Sequence, residues 1–415
     1  MLLKGLVIIV STFIVGVAIL AYSPLPEGID DPFKVLIQIG GLNVMMKIIK
    51  LKEYLGYGSL YKNFNILGEP PKTEIPFSAA NGDLKVTRDQ IAGVPVIVYQ
   101  HKDTSVPHPA IVYFHGGGWV MGSPDTHDQA VYKYALETHA VAINVGYRMA
   151  PKHPFPASIQ DCLDVTRYIL RHGIEYNIDA TRVGVAGDSA GGNLAAAVAL
   201  ALTREKSDLP PLLFQILHYP ALQAFDMHLP SHVDLNQSAP VLSQHFMSAL
   251  YAYYMGADIE DIDHYTAVIS ANRHIPARLR KSKYGEFVNV KLLPAQYQKP
   301  KTSIEAAPTD HDEKVYAKIK DVLTNPLFSP LMSPDLTGLP PTFIHVCEFD
   351  ILRDDGLLYA RRLQDAGVKT ELHFGKGGFH GDATINMITF MDLQPRSGKV
   401  ALSAAYQFVR SILEQ

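Results

Sequence analysis

Cysteine and tryptophan are scarce in this 415-residue chain, which contains two Cys and one Trp. Cys162 and Cys347 can form at most one disulfide, so the chain is not a small scaffold held together by disulfides. The 17 histidines show no zinc-ligand spacing such as H-E-x-x-H, and no glycine loop carries a lysine placed to bind phosphate. We therefore expect no metal and no cofactor.

An excess of charge of either sign is also absent. Lys and Arg number 37 against 41 Asp and Glu, which gives a formal net charge of −4. No run of like charges marks a surface that binds polyanions, so nucleic acid is not an expected partner. At 47% hydrophobic residues, the chain is long enough for one large domain with a lid, or for two domains.

A long apolar run occurs at the amino terminus. Residues 5–22 are 18 consecutive residues without a charge, close to the roughly 20 that a helix needs to span a bilayer. This run is longer than the apolar core of a usual signal peptide, and Pro24 would hinder cleavage after residue 23. We expect a retained transmembrane anchor, the alternatives being a cleaved signal or a buried helix.

The charges around this run favour one membrane orientation. Lys4 precedes it, whereas acidic side chains predominate just after it, which favours a cytosolic amino terminus and a lumenal or extracellular body. Asn236, in the triplet Asn-Gln-Ser, is a glycosylation acceptor compatible with that side of the membrane.

Apolar strand-like runs alternate with helical patterns along most of the chain, which is typical of a mainly parallel, doubly wound α/β sheet. The runs lie at residues 110–114, 140–145, 182–186, 212–217, 342–346 and 370–374. Two stretches, at about 23–95 and 221–325, break the alternation and are expected to lie outside the sheet as a lid or cap. Within the first, residues 35–57 are interpreted as a helix of the cap, or alternatively as a segment on the membrane surface.

A candidate nucleophile directly follows the strand at residues 182–186. Gly-Asp-Ser-Ala-Gly, residues 187–191, separates this strand from an alanine-rich helical pattern, which is the context that a G-x-S-x-G nucleophile elbow requires. The glycines allow a sharp turn with closely packed backbones and leave the Ser189 hydroxyl exposed to substrate. We interpret Ser189 as the nucleophile rather than as a cap of the following helix.

An oxyanion-hole sequence follows the strand at residues 110–114. The motif HGGGW starts at His115, and its glycine backbone can turn N–H groups toward a substrate oxygen. We expect the N–H groups of Gly116, Gly117 and Ala190 to stabilise the charge that acyl transfer develops, each being worth about 3 kcal/mol. Gly118 completes the glycine run. The alternative is a plain glycine turn, but this would not explain why the motif lies where the nucleophile elbow needs an oxyanion-hole loop.

A base and an acid are expected after the serine, in the chain order of this fold class. Asp350 follows the predicted strand 342–346, and His380 follows the strand 370–374 between Phe379 and Gly381. All the candidate residues therefore follow the carboxyl ends of strands, where ligands bind in open α/β sheets. Asp350 is also a possible helix N-cap, and the alternative acids are Glu348, Asp354 and Asp355.

Four motifs together resemble those of the hormone-sensitive lipase family: HGGGW, GDSAGG, YRMAP followed by HPFPA, and DILRDDG. The apolar amino-terminal run followed by Ser-Pro-Leu-Pro is similar to the arylacetamide deacetylase branch of that family. The resemblance implies an α/β-hydrolase fold and a type II endoplasmic-reticulum membrane protein. Its lumenal domain would hydrolyse lipid esters, drug-like esters and arylacetamides through Ser189, Asp350 and His380.

Three positions depart from the family pattern. Val120 stands where the resemblance implies a cysteine paired with the position of Cys347, so that bridge cannot form. Lys152 replaces a glutamate after the YRMAP segment, and His218 replaces an apolar residue before Tyr-Pro. These departures affect the expected substrate preference more than the expected catalysis.

The segments expected from this reading are an anchor at residues 1–23, a lead-in or cap segment at 24–95, two parts of the hydrolase core at 96–220 and 326–415, and a cap insertion at 221–325. We expect a serine hydrolase that cleaves lipophilic carboxylic esters or amides through an acyl-enzyme. A ligand receptor on the same fold is a competing reading, as in the plant gibberellin receptors, which lack the catalytic histidine. A hydrolase that serves mainly as a lipid-binding or scaffold protein is another.

Overall fold

Eight strands form one sheet in the computed structural model, which describes residues 22–57, 76–298, 310–384 and 392–414. The sheet order is β1-β2-β4-β3-β5-β6-β7-β8. The strand bounds are β1 Leu84–Ile91, β2 Val94–His101, β3 His108–Phe114, β4 Val141–Val145, β5 Ile178–Asp188, β6 Gln215–His218, β7 Thr342–Phe349 and β8 Thr370–Phe379.

The sheet is mostly parallel, as the alternation of apolar runs and helices predicted. Strand β2 pairs antiparallel with β1 and β4, whereas the five pairings among β3 to β8 are parallel. Each of the six strands predicted from apolar runs has a counterpart among β3 to β8. The fold class, a mainly parallel α/β-hydrolase sheet, is confirmed.

The prediction that the whole lead-in segment lies outside the sheet is wrong. Residues 84–95 were expected outside the sheet, but they form β1 and the start of β2 at its edge. Strand β1 was not predicted because an edge strand needs no apolar run. Only Leu84 and Ile91, at its two ends, are buried, and all the residues between them except Val86 are charged or polar. Charge on such a strand also protects an open sheet edge from pairing with other chains.

Twelve α-helices occur in the described residues. Their bounds are α1 Pro32–Tyr54, α2 Asp128–Thr138, α3 Ala157–His172, α4 Ala190–Arg204, α5 Pro230–Asp234, α6 Gln244–Tyr254, α7 Ile262–Ser270, α8 Ala277–Arg280, α9 Lys283–Phe287, α10 Glu313–Leu323, α11 Arg353–Asp365 and α12 Arg396–Leu413.

The helices cover both faces of the sheet. Successive residues of β3 point to opposite sides, so that Val112 packs among α3, α4 and α11, whereas Ile111 and Tyr113 pack among α2 and α12. Helices α5 to α10 lie within the predicted insertion at residues 221–325, and α6 to α10 contribute side chains to the first of these two cores. The cap and the catalytic edge of the sheet therefore share one hydrophobic core.

Helix α1 lies within the stretch for which a cap helix and a membrane-surface segment were both considered. Val35 and Ile39 are buried against Ile29 and Phe379, whereas Leu51 and Tyr54 near its other end are exposed. Among the described residues, no helix has the length and apolarity needed to cross a membrane. Residues 5–21 of the predicted anchor lie outside the described part of the chain.

The close approach of β3 to the turn before α4 predicts that Gly191→Ala is strongly destabilising. A Cβ at Gly191 would lie 1.9 Å from the Phe114 carbonyl oxygen and 2.6 Å from that of His115. Overpacking costs about 1–3 kcal/mol when side chains can shift, and backbone atoms yield less readily. We expect a lower melting temperature for Gly191→Ala in thermal unfolding.

Gly41→Ala is the matched control, because a Cβ at Gly41 in helix α1 meets no atom within 4 Å. Alanine there should be neutral or stabilising by up to about 1 kcal/mol. Equal melting temperatures for the two variants would contradict the close approach.

Candidate active site

Ser189 occupies the sharp turn between β5 and α4. Its φ of 56° and ψ of −118° lie in a region that non-glycine residues rarely adopt, which is typical of a strained functional position. The Ser189 N–H donates to the carbonyl oxygen of His218 at 2.9 Å. The turn thereby holds Ser189 above the carboxyl ends of β5 and β6.

The structure brings Ser189, His380 and Asp350 together from three strand ends. Asp350 directly follows β7, and His380 directly follows β8. The Nδ1 atom of His380 lies 2.8 Å from Asp350 Oδ2, and its Nε2 atom lies 2.9 Å from Ser189 Oγ. Asp350 also accepts from the Leu352 N–H at 2.9 Å. This is the geometry in which an oriented imidazole removes a proton from a serine hydroxyl.

The three alternative acids are engaged elsewhere. Glu348 accepts from the Gly377 N–H at 2.8 Å. Asp354 accepts from the Ser231 N–H at 2.7 Å, and Asp355 accepts from the Leu222 N–H at 3.1 Å. The last two carboxylates therefore join α11 to the start of the cap insertion and do not approach the imidazole.

Burial and charge act in opposite directions on His380. Desolvation alone lowers its pKa, but the charge and hydrogen bond of Asp350 outweigh it, and the net result is a raised pKa. The imidazole is 8% exposed, as is Ser189. The site is thus shielded from water except where a substrate would enter.

The HGGGW loop lies beside the elbow, but Gly116 does not fit its predicted part in the oxyanion hole. Its N–H donates to Asp188 Oδ1 at 3.1 Å, so it points at a protein carboxylate rather than toward a substrate. In contrast, no hydrogen bond to another described residue engages the N–H groups of Gly117, Gly118 or Ala190. Gly118, predicted only as part of the motif, is therefore a better donor candidate than Gly116.

Glycine is required at Gly117 for two reasons. Its φ is +118°, and a Cβ would lie 2.1 Å from the Met121 carbonyl oxygen. Next to this turn, the His115 carbonyl oxygen accepts from the Tyr147 hydroxyl at 2.7 Å, and the two rings stack with centroids 4.2 Å apart. Tyr147, the first residue of the YRMAP segment, thus fixes the start of the loop.

Asp188 is a site residue that the sequence reasoning did not identify. Its carboxylate is buried and accepts from the Tyr113 hydroxyl at 2.8 Å and the Thr384 hydroxyl at 3.1 Å, in addition to Gly116. His127 Nε2 lies 3.3 Å from it. The sequence feature that could have identified Asp188 is its position between the first glycine and the serine of the elbow.

The buried Asp188 carboxylate and the partly buried His127 imidazole shift each other's pKa. Burial alone raises the pKa of Asp188, but the charge and hydrogen bond of His127 lower it below its ordinary range. Burial alone lowers the pKa of His127, and Asp188 reverses this and leaves it raised. The negative charge on Asp188 strengthens its hydrogen bonds to the oxyanion loop.

The cap packs directly on the oxyanion loop. Trp119 is fully buried and stacks on Tyr254 of α6 with ring centroids 4.5 Å apart. The Leu250 side chain, one turn earlier in α6, fills the space that a Cβ on Gly118 would need. A shift of the cap would therefore move the loop that carries the candidate oxyanion donors.

Asn236 and the two cysteines make no hydrogen bond to the triad within the described residues. Asn236 lies in the turn after α5, and its Oδ1 accepts from the Gln244 N–H at 2.9 Å, which leaves Nδ2, the atom that a glycan would use, outside that bond. Cys162 and Cys347 are both free and buried. Val120 and Cys347 belong to the cores on opposite faces of the sheet.

Comparison with known proteins places this site among ester hydrolases. A family model described as alpha/beta hydrolase fold matches residues 111–281 and 291–384. Arylacetamide deacetylase of Oryctolagus cuniculus is 34% identical over 90% of this chain and 93% of its own length. Neutral cholesterol ester hydrolase 1 of Rattus norvegicus is 31% identical over 90% and 92%, respectively.

Solved structures give the same picture. A bacterial heroin esterase superposes with a TM-score of 0.58 at 26% identity, covering 80% of this chain and 85% of its own. The esterase LipW from Mycobacterium marinum superposes with a TM-score of 0.58 at 25% identity, covering 81% and 84%.

Asp188→Asn should lower kcat for ester hydrolysis about 10- to 100-fold, with a smaller change in KM. An amide nitrogen would replace the oxygen that contacts Thr384 and His127, and the negative charge would be lost, so the four contacts of this side chain could not all be kept. A displacement of the loop by about 1 Å costs up to roughly 100-fold in rate. Steady-state kinetics with a short-chain aryl ester measures this effect. Asp179→Asn, at the opposite end of β5 where the carboxylate bonds Thr181, is the control and should keep wild-type kinetics. Unchanged kcat in a folded Asp188→Asn variant would contradict the positioning role.

The acid limb of the pH–rate profile should have its midpoint above the ordinary pKa of a histidine side chain. Hydrolysis requires neutral His380 to accept the serine proton, so kcat/KM falls as the pH drops through the raised pKa of this imidazole. In Asp350→Asn the charge that raises the pKa is lost, so the midpoint should move to lower pH as the rate falls. A profile that is flat down to pH 5, or an unmoved midpoint in a measurable Asp350→Asn variant, would contradict this assignment.

Proposed function

We propose a two-step serine esterase mechanism for this chain, which belongs to the arylacetamide deacetylase branch of the α/β-hydrolase family. The chain is a carboxylic ester hydrolase. The observation that carries the mechanism is His380, which lies within hydrogen-bond distance of both Ser189 Oγ and Asp350 Oδ2. The proposed substrates are lipophilic acyl esters or arylacetamides.

Acylation begins at the serine hydroxyl. As Ser189 Oγ attacks the substrate carbonyl carbon, His380 Nε2 accepts its proton and then delivers that proton to the departing alcohol or amine. Asp350 holds Nδ1–H of the same ring and stabilises the imidazolium that forms. Water then attacks the acyl-enzyme with His380 again as the base, releasing the carboxylic acid and restoring Ser189.

The tetrahedral oxyanion is stabilised by backbone N–H groups. Gly117, Gly118 and Ala190 offer N–H groups that bond no other described residue, and each preorganised donor is worth about 3 kcal/mol of transition-state stabilisation. Gly116 contributes indirectly, since its bond to Asp188 fixes the loop.

Two observations support lipophilic substrates. The similar proteins include enzymes named for arylacetamides and for cholesterol esters. The cap that packs on the oxyanion loop is rich in buried aromatic residues, among them Tyr251, Tyr253 and Tyr254, and apolar surroundings favour lipophilic acyl groups over charged ones.

The same proposal includes a membrane anchor at residues 5–22, a cytosolic amino terminus and a catalytic domain in the lumen of the endoplasmic reticulum. The apolar length of that run and the charges around it support this topology. A lumenal domain would make Asn236 accessible to glycosylation.

A fluorophosphonate should label the wild-type protein covalently, because an activated serine attacks phosphorus as it attacks a carbonyl carbon. Ser189→Ala should abolish labelling, whereas Ser105→Ala, in an exposed loop, should retain it. His380→Ala should lower ester turnover at least about a thousandfold while the fold is kept.

Labelling of Ser189→Ala would remove Ser189 as the nucleophile. If wild-type turnover were no greater than that of folded His380→Ala, the esterase proposal would be rejected in favour of a ligand receptor on the same fold.

Carbonate washing tests the anchor. The full-length protein should remain in membranes, and deletion of residues 1–23 should release part of it, because the span supplies the insertion energy. Endoglycosidase should lower the apparent mass of the wild type but not that of Asn236→Gln. A mature protein that begins after residue 20 would contradict the anchor, and a catalytic domain accessible to cytosolic protease would contradict the orientation.

A further inference from the structure

A buried cluster of three potential metal ligands lies behind the triad. His345 and Cys347 belong to β7, and Asp382 follows His380 by two residues in the loop after β8. Their ligand atoms lie within 4.8 Å of one another, and all three side chains are fully buried. No step of the proposed mechanism uses them.

The separations between donor atoms match a tetrahedral zinc site. Cys347 Sγ lies 3.5 Å from His345 Nε2 and 3.6 Å from Asp382 Oδ1, and His345 Nε2 lies 3.8 Å from Asp382 Oδ1. Tetrahedral zinc at its usual bond lengths separates sulfur from nitrogen or oxygen by about 3.5 Å, and nitrogen from oxygen by about 3.4 Å. Only the His–Asp separation must shorten by a few tenths of an ångström.

A chain of hydrogen bonds can leave His345 Nε2 without a proton. His345 Nδ1 lies 3.4 Å from His218 Nδ1, and His218 Nε2 lies 2.5 Å from the Tyr134 hydroxyl. If His345 donates through Nδ1, His218 donates through Nε2 to Tyr134, and the Nε2 lone pair of His345 faces Cys347. Metal-binding histidines use such an outer hydrogen bond to fix the ring. This gives a physical role to His218, the residue that replaces an apolar one.

Local space and charge also suit a cation. Cβ atoms on Gly375 and Gly378 would lie 2.8 Å from His345 Nε2 and 2.6 Å from Asp382 Oδ2, so any larger residue at either position would crowd a donor atom. Asp382 Oδ2 is buried and has no hydrogen bond of normal geometry, although the Ser397 hydroxyl interacts with this carboxyl group. A divalent cation would compensate the charge of this carboxylate and of a Cys347 thiolate, which burial otherwise opposes.

We propose that His345, Cys347 and Asp382 bind one zinc ion that ties β7 to the loop carrying His380. The mixed nitrogen, sulfur and oxygen donors suit zinc, and three protein ligands leave the fourth tetrahedral position for a water molecule. Binding releases the thiol proton and any proton held by the carboxyl group. The expectation of no metal arose because β7 and the Asp382 loop are far apart in sequence and form no short ligand motif.

Metal content of the full-length protein tests the site. The protein is produced in zinc-supplemented medium with a purification tag that lacks histidine, and its zinc is measured by mass spectrometry. We expect one zinc per chain in the wild type and at least a tenfold loss in Cys347→Ser and Asp382→Asn. Cys162→Ser removes the other buried cysteine and should retain the ion.

Cobalt substitution gives a second readout that does not depend on the variants. Wild-type protein exchanged into Co²⁺ should show a thiolate-to-cobalt charge-transfer band, and Cys162→Ser should keep it. A wild type with less than about 0.1 zinc per chain and no cobalt band would overturn the site even if the ligand variants fail to fold. Zinc retained in folded Cys347→Ser would overturn it as well. Fluorophosphonate labelling of the same samples reports Ser189 separately, so failure of the zinc site would leave the esterase proposal standing.

Discussion

The carboxylate of Asp188 joins the nucleophile elbow to two other parts of the chain, one at residues 113–127 and one at Thr384. It belongs to the nucleophile elbow and accepts from Tyr113 on β3, Gly116 in the HGGGW loop and Thr384 after β8, while His127 supplies the opposite charge. A buried carboxylate is costly unless it is paired and fully hydrogen-bonded. The hydrogen bonds that the Asp188 carboxylate needs therefore fix the position of the oxyanion loop relative to Ser189.

The parallel sheet supplies the rest of the geometry. Because β5, β7 and β8 run in the same direction, their carboxyl ends lie at one edge and bring Ser189, Asp350 and His380 within hydrogen-bond distance. The cap adds a second constraint, since α6 packs on Trp119 and against Gly118. Substrate contacts made by the cap can thus affect the N–H groups that would bind the oxyanion.

The sequence was most informative where function depends on local backbone. Ser189 follows a strand and precedes a helix in a glycine-bounded turn, and the order of serine, acid and histidine follows from the direction of the strands, so the elements and the three candidate residues could be named. The choice of Asp350 over Glu348 rested on family resemblance as well, and the structure separates them by the partners of each carboxylate.

Features that depend on tertiary contacts could not be predicted from the local sequence. The middle of strand β1 is mostly polar because the strand lies at the sheet edge, so it lacks the apolar run that marked β3 to β8. The Gly116 N–H was assigned to substrate because its partner, Asp188, is 72 residues away. His345 and Asp382 approach each other only because β7 and β8 are neighbours.

The central claim, that Ser189 and His380 act as one catalytic unit, is tested most directly by combining their substitutions. Ester hydrolysis is measured as kcat/KM for Ser189→Ala, His380→Ala and the double variant, each checked for folding by thermal melting. Residues that act as a unit lose their function together, so the double variant should be no slower than the slower single variant. If the two losses multiply instead, the residues contribute independently and the account is contradicted.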